Sequence, residues 1–177
     1  MVIYREDVQQ QIFAMIQSMD QLGTSLLLDS IGLFLLFAGL IIGLGAVTVI
    51  EILAWCGRRS SYWTLATVRT HKITKPLIWL GIFLSLFGAI IAYRNYDFSG
   101  LVALQAFIAA IVILNGLWLT FHVSPHLLRR EREGKDAQLL SSSWQRKIRV
   151  SFLISFFGWW LIVALVVLHF TTALAPR

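Results

Sequence analysis

The chain has little from which to build a soluble enzyme. Only 14% of its residues are charged and nine are acidic, whereas a typical soluble domain is about 25% charged. Cys56 is the only cysteine, so one chain forms no internal disulfide, no CxxC redox pair and no thiolate zinc site. No glycine-rich phosphate loop, HExxH or GxSxG pattern occurs, and no serine, histidine and acid are spaced for hydrolysis. Duplicated broken helices of the kind secondary transporters use are also missing. The first residues, Met1 to Asp7, lack the basic start of a cleaved signal, so cleavage is not expected.

What the chain does have is apolar length. Of its 177 residues 58% are hydrophobic and mean hydropathy is +0.75, well above the roughly 45–50% of soluble domains. Four long apolar runs, about 31–56, 77–93, 101–123 and 150–170, stand out. A hydrocarbon layer of about 30 Å takes roughly 20 helical residues, and residues before Pro76 lengthen the second run. Uninterrupted apolar runs lack the two-residue alternation of a barrel, so the spans are helical. The expected fold is all-α: an integral membrane four-helix bundle over 29–177 preceded by an amphipathic N-terminal helix in 1–28.

Charge gives an orientation. The connection after the first span carries Arg58, Arg59, Arg69, Lys72 and Lys75, and the one after the third carries Arg129, Arg130, Arg132, Lys135, Arg146, Lys147 and Arg149. Arg94, Arg5 and Arg177 are all that the other side holds, a division of 12 against 3. The positive-inside rule then makes this a multi-pass protein with basic loops in the cytoplasm and both termini outside. The net charge of +6 belongs to this topology, since the basic residues flank apolar spans and form no nucleic-acid-binding module.

The connections carry local signals. Ser60 and Ser61 precede Tyr62 and Trp63, which predicts a helix on the membrane surface running toward span two with a bend near Pro76. Pro125 is expected to disturb the end of span three, Gly134 to stop a short charged helix, and Ser141 to Ser143 to start the next one. Near the N-terminus Val8, Ile12, Met15 or Ile16, Met19 and Leu22 recur every three to four residues among glutamines. Such a stripe either lies on the outer membrane surface, its commoner use, or packs on a membrane-protein partner; self-association into a homo-oligomer is a separate expectation, raised by the GxxxG spacing of Gly39 and Gly43 in the first span.

Within the spans, Gly39 and Gly43 have the GxxxG spacing that lets backbones approach, answered by Gly81, Ser85 and Gly88 in span two. Phe156, Phe157, Trp159 and Trp160 sit mid-span, where they pack against helices and lipid or line a flat cofactor. Glu51 is the sharpest anomaly, seven residues inside Arg58. A carboxylate there costs on the order of 2–3 kcal/mol, so it should face the bundle and meet a cation such as Arg58 or take a proton.

Two polar clusters follow from depth. At the cytoplasmic ends Glu51, His71 and His122 come from three helices, with Asn115 seven residues before His122 on nearly the same face. Glu51, Asn115 and His122 form the expected polar lining, and His71, His122 and Glu51 are the candidate ligands of a transition metal, with the histidines as candidate axial ligands of a haem. The other reading makes them interfacial histidines, with His126 leaving the helix after Pro125. At the outward side Asp29 and His169 lie level. No cofactor is specified by these patterns.

The runs Gly43-Leu44-Gly45-Ala46-Val47-Thr48, Arg69-Thr70-His71-Lys72 leading into Ile78-Trp79-Leu80-Gly81, and Leu114-Asn115-Gly116-Leu117-Trp118-Leu119 resemble uncharacterised bacterial inner-membrane proteins of four helices. In layout the chain is also similar to the copper-resistance D type of membrane domain over most of 29–170. The resemblance implies a four-helix fold in the bacterial inner membrane. Function is expected to be that of a non-enzymatic accessory or interaction protein, the alternative being a redox or metal-handling bundle.

Overall fold

The computed structural model describes residues 3–56, 60–98, 100–135 and 138–173, and among these every regular element is helical. They are α1 (Ile3–Cys56), α2 (Ser61–Ala92), α3 (Gly100–Trp118), a π-helical turn (Leu119–Val123), α4 (Ser124–Arg132) and α5 (Ser142–Ala173). Four stretches, Met15–Cys56, Leu65–Ala92, Gly100–Arg132 and Ser142–Thr172, are long and apolar enough to cross a membrane. Their outer faces are greasy: Phe34, Ile41 and Phe83 are 70%, 72% and 63% exposed. Apolar surface on that scale suits lipid and not water.

α1 packs along α2, α3 packs on α5, and contacts between α1 and α5 join the two pairs. Glycine sets the first pairing. A Cβ on Gly81 would lie 2.6 Å from the Gly43 Cα, and one on Gly32 would lie 2.8 Å from the Ala92 nitrogen. A Cβ on Gly39 would collide with Ser85, and one on Gly88 with the Leu36 backbone. The GxxxG faces expected from the sequence therefore meet each other inside one chain. Gly43 also leaves room for the ring of Trp159 from α5, which is 2% exposed and sits in a core with Leu36, Leu40, Val47, Ile82, Val112 and Val166. Of the mid-span aromatics Trp159 is thus core packing, whereas Phe157 and Trp160 face outward.

The elements differ from expectation at their ends. The amphipathic stretch is not a separate helix: α1 passes from it into the first span without a break, 54 residues or about 80 Å of helix. Nothing in 1–28 is a strong helix breaker except Gly23, which α1 passes through. Likewise α2 continues from Ser61 through Pro76 to Ala92. Pro125 acts upstream of itself. Its ring lacks an N–H and crowds the carbonyl four residues back, and the ladder there opens into the turn at 119–123, closed by Ser124 N–H donating to the Leu119 carbonyl. His126 stays helical in α4 and stacks on Trp144 at 4.0 Å.

Gly134 stops α4 as the sequence suggests. With φ +67° it lets its own N–H reach the Glu131 carbonyl at 3.0 Å and that of Lys135 reach Arg130 at 2.9 Å, a Schellman closure. Beside it Lys135 and Arg129 bond Glu133, each at 3.0 Å, and hold its carboxyl below the usual carboxylate range.

The glycine contacts make a paired prediction. Gly88→Leu should lower unfolding stability in detergent by about 1–3 kcal/mol or prevent folding, as overpacked cores do. Gly45→Leu, with nothing within 4 Å of its Cβ position, should stay close to the parent. Equal stability of the two variants would refute the close α1–α2 approach.

Candidate functional site

A partly open cavity of about 170 Å³ lies at the end of the bundle that carries the basic loops. α1 contributes Val47, Ile50, Glu51, Ala54 and Trp55, and α2 contributes Thr67, His71 and Ile78. Leu119 and Val123 of the π turn, Leu127 and Arg130 of α4, and Leu140 close one side. Gln145, Ile148, Arg149, Phe152 and Ser155 of α5 close the other. The walls are mostly apolar, with a few polar tips, which is the usual make-up of a small-molecule site.

Glu51 is 5% exposed, and both of its carboxyl oxygens are buried with no hydrogen-bond partner among the described residues. The Nε2 of His71 is in the same condition. Buried polar groups are normally paired, so two unpaired ones on one small cavity mark it out. Arg58, the cation expected to meet Glu51, lies outside the described residues. Arg130 also borders the cavity, but its guanidinium donates to the Lys135 and Gln138 carbonyls at 3.0 and 2.8 Å. Arg149 is exposed at the rim.

The expected cytoplasmic cluster is assembled only in part. Glu51 and His71 share the cavity, but His122 does not join them: it is exposed and stacks on Trp118 with ring centroids 6.1 Å apart. The π turn explains this. Residues seven apart share a face on an α-helix, but a wide turn holds roughly one residue more, which rotates everything after it by about 100°. His122 is carried outward, and Val123 and Ser124, each 3% exposed, take the inner face. Among the described residues no group of three or more His, Cys, Asp or Glu side chains is placed to hold a metal ion. The arrangement thus does not bring His71, His122 and Glu51 together as a ligand set.

Asn115 also leaves the expected lining of Glu51, Asn115 and His122. Its amide donates to the Ser151 carbonyl at 2.9 Å and to Ser155 Oγ at 3.1 Å, and its oxygen accepts from Ser151 Oγ at 2.8 Å. It clamps α3 to α5 one layer behind the cavity wall. Gln105 does the same farther along, donating to the Leu165 carbonyl at 2.8 Å. Sequence reasoning passed over Gln105, although a lone amide in an apolar run is a signal of such a clamp. At the basic end Trp79 donates to Thr120 at 3.3 Å and Lys72 pairs with Glu131 at 2.7 Å, tying α2 to the π turn and α4.

At the opposite end Asp29 and His169 have separate partners. Asp29 pairs with Arg94 at 2.7 Å, and Arg94 also donates to the Ser25 carbonyl at 3.2 Å. His169 sits among rings, with centroids of Tyr96, Tyr93 and Phe170 at 4.7, 4.8 and 5.3 Å. The Asp29 pair fastens α1 to the end of α2, and the His169 cluster fastens α5 to the same corner.

No family model, characterised protein or solved structure matches the chain.

Because the walls around it are mostly apolar and neither Arg130 nor Arg149 is paired with it, Glu51 should tolerate loss of charge better than reversal of charge. Glu51→Gln is expected to express and melt like the parent, and Glu51→Lys to lose stability or yield. Parental behaviour of both, measured by thermal unfolding in detergent, would place Glu51 at a solvated helix end.

Proposed function

We propose that the chain is a multi-pass protein of the bacterial inner membrane with a non-enzymatic accessory or interaction role, and that the N-terminal arm of α1 is its contact surface. One observation carries the reading: α1 extends beyond the end of α2 as an unbroken helix. Among the described residues its outermost polar ties to the end of α2 are those of Asp29 and Ser25 to Arg94, and the roughly 20 residues before them add about 30 Å of helix. A continuous helical ladder leaves no place for the right-angle turn that would lay the arm flat on a surface.

Val8, Ile12, Met15, Met19, Leu22 and Leu26 are spaced by alternating steps of four and three, the seam of a coiled coil. On that seam Met15, Met19, Leu22 and Leu26 are 65%, 63%, 62% and 59% exposed. A second copy is the partner that fits best. Copies inserted the same way project their arms in the same direction, so a parallel pair needs no rearrangement. The positions flanking the seam, Gln11, Ile16, Ser18, Gly23 and Ser25, carry no charge, so identical residues facing each other do not repel.

The division of 12 basic residues against 3 supports a cytoplasmic basic end and external termini.

Two measurements test the reading. In a Cys56→Ser background, Met19→Cys should form disulfide-linked dimers in membranes, and Thr24→Cys, on the far side of the helix, should not. Dimers from both or from neither would overturn the parallel seam. A reporter that is fluorescent only in the cytoplasm should stay dark when fused after Arg177 and light up when inserted at Gly134; the reverse pattern would invert the topology.

A further inference from the structure

The cavity at the basic end selects its occupant by size and by polarity. At about 170 Å³ it is smaller than the roughly 300–1,000 Å³ that drug-sized ligands fill and a little larger than the cavity of about 150 Å³ that takes up a benzene ring. A molecule of one ring or one short alkyl chain suits that size.

Its polar groups ask for a donor. Glu51 offers two carboxyl oxygens, and an imidazole whose proton sits on Nδ1 offers the His71 Nε2 as an acceptor. Glu51 is 95% buried in helix α1 and borders the cavity, so a group entering the cavity can reach what the protein leaves unpaired. A hydroxyl brings one donor and no charge. An ammonium brings up to three donors and the charge that an apolar site otherwise withholds from a carboxylate. Trp55 and Phe152 add aromatic rings to the lining, apolar surface for the rest of such a molecule.

Among the described residues the positive groups nearby do not fill this role. The Arg130 guanidinium is turned to loop carbonyls. Arg149 stands exposed at the rim, where water screens it. Lys75, on α2 one turn beyond His71, lies 3.4 Å from Ser124 Oγ.

We propose that this cavity is a binding site for a small lipophilic amine, with the ammonium on Glu51 and His71 and the apolar body against Val47, Ile78, Val123 and the two rings. The site is independent of the N-terminal arm, so failure of either reading leaves the other standing.

Three probes that share one ring and differ in the head group test it: benzylamine, benzyl alcohol and benzoate, each titrated against the purified full chain in detergent and followed by saturation-transfer NMR. Benzylamine should bind the parent at least tenfold more tightly than benzyl alcohol, and benzoate should bind weakest. Glu51→Gln should remove most of the preference for benzylamine. Ala54→Phe, which fills the cavity and leaves Glu51 in place, should abolish saturable binding of all three.

Equal affinity for the three heads would overturn the proposal, and so would a preference for benzoate, which would assign the site to Arg149 and an anion. Benzylamine binding unchanged in both variants would mean partition into the micelle. If Glu51→Gln does not fold, the ranking of heads on the parent and the Ala54→Phe result decide the matter between them.

Discussion

The whole arrangement depends on how closely α1 and α2 approach. When the outer faces of helices are as apolar as these, burying one more leucine distinguishes poorly between a packed and an unpacked helix, because lipid tails receive it as well. Contact area gained by bringing backbones together does distinguish them. Gly32, Gly39, Gly43, Gly81 and Gly88 remove the side chains that would hold α1 and α2 apart, and Ser85 adds a weak bond to the Leu36 carbonyl at 3.5 Å. The Trp159 ring then enters beside Gly43 and brings α5 to the pair. α3 is held to α5 through amide clamps. The contacts thus form a hierarchy, a glycine-packed α1–α2 pair and an α3–α5 pair joined through α1 and α5, and not a uniform bundle.

The π turn is where that hierarchy meets the cavity. A regular helix through 119–123 would keep His122 in line with Asn115 and put an imidazole where the bundle is closed. The extra residue in the turn sends His122 outward and gives the inner face to Val123, which joins Leu127, Trp118, Leu140 and Trp144 in a small second core beneath the basic loop. Two consequences follow from one proline. The loop end is anchored by apolar contact, and the cavity wall becomes apolar on the α3 side, which leaves Glu51 and His71, among the described residues, as the unpaired buried polar groups of the lining.

How much of this was legible in the sequence varies with the range of the physics involved. The apolar runs mark four spanning-length helices because hydrophobic length is a local property, and the glycine spacing marks their tight faces. Gly134 marks the end of α4 because a positive φ is a local demand. Pro125 announces a disturbance but not its kind: a break and a π turn both relieve the same clash, and packing of Val123 and Leu127 chooses between them. Partners across the bundle were harder still. Glu51 and His71 could be placed together from depth alone, whereas Asn115 and His122 depended on rotation about the helix axis, which a single extra residue resets. The N-terminal stripe was visible as amphipathic, but its continuity with the first span was not, since nothing in 1–28 distinguishes a hinge from an uninterrupted helix.

Three polar side chains inside the spans, Gln105, Asn115 and Glu51, are not equivalent, and the difference separates scaffold from site. Gln105 and Asn115 each find backbone or hydroxyl partners on α5, and a membrane hydrogen bond of this kind contributes only about 0.6 kcal/mol on average. They fix which face of α3 meets α5 and leave nothing for a ligand. Among the described residues Glu51 has no such partner. A leucine there would pack against the same apolar walls without the desolvation cost of a buried carboxyl. A group that costs stability, faces a cavity and has an unpaired imidazole for a neighbour is accounted for by what enters that cavity and not by what holds the helices together.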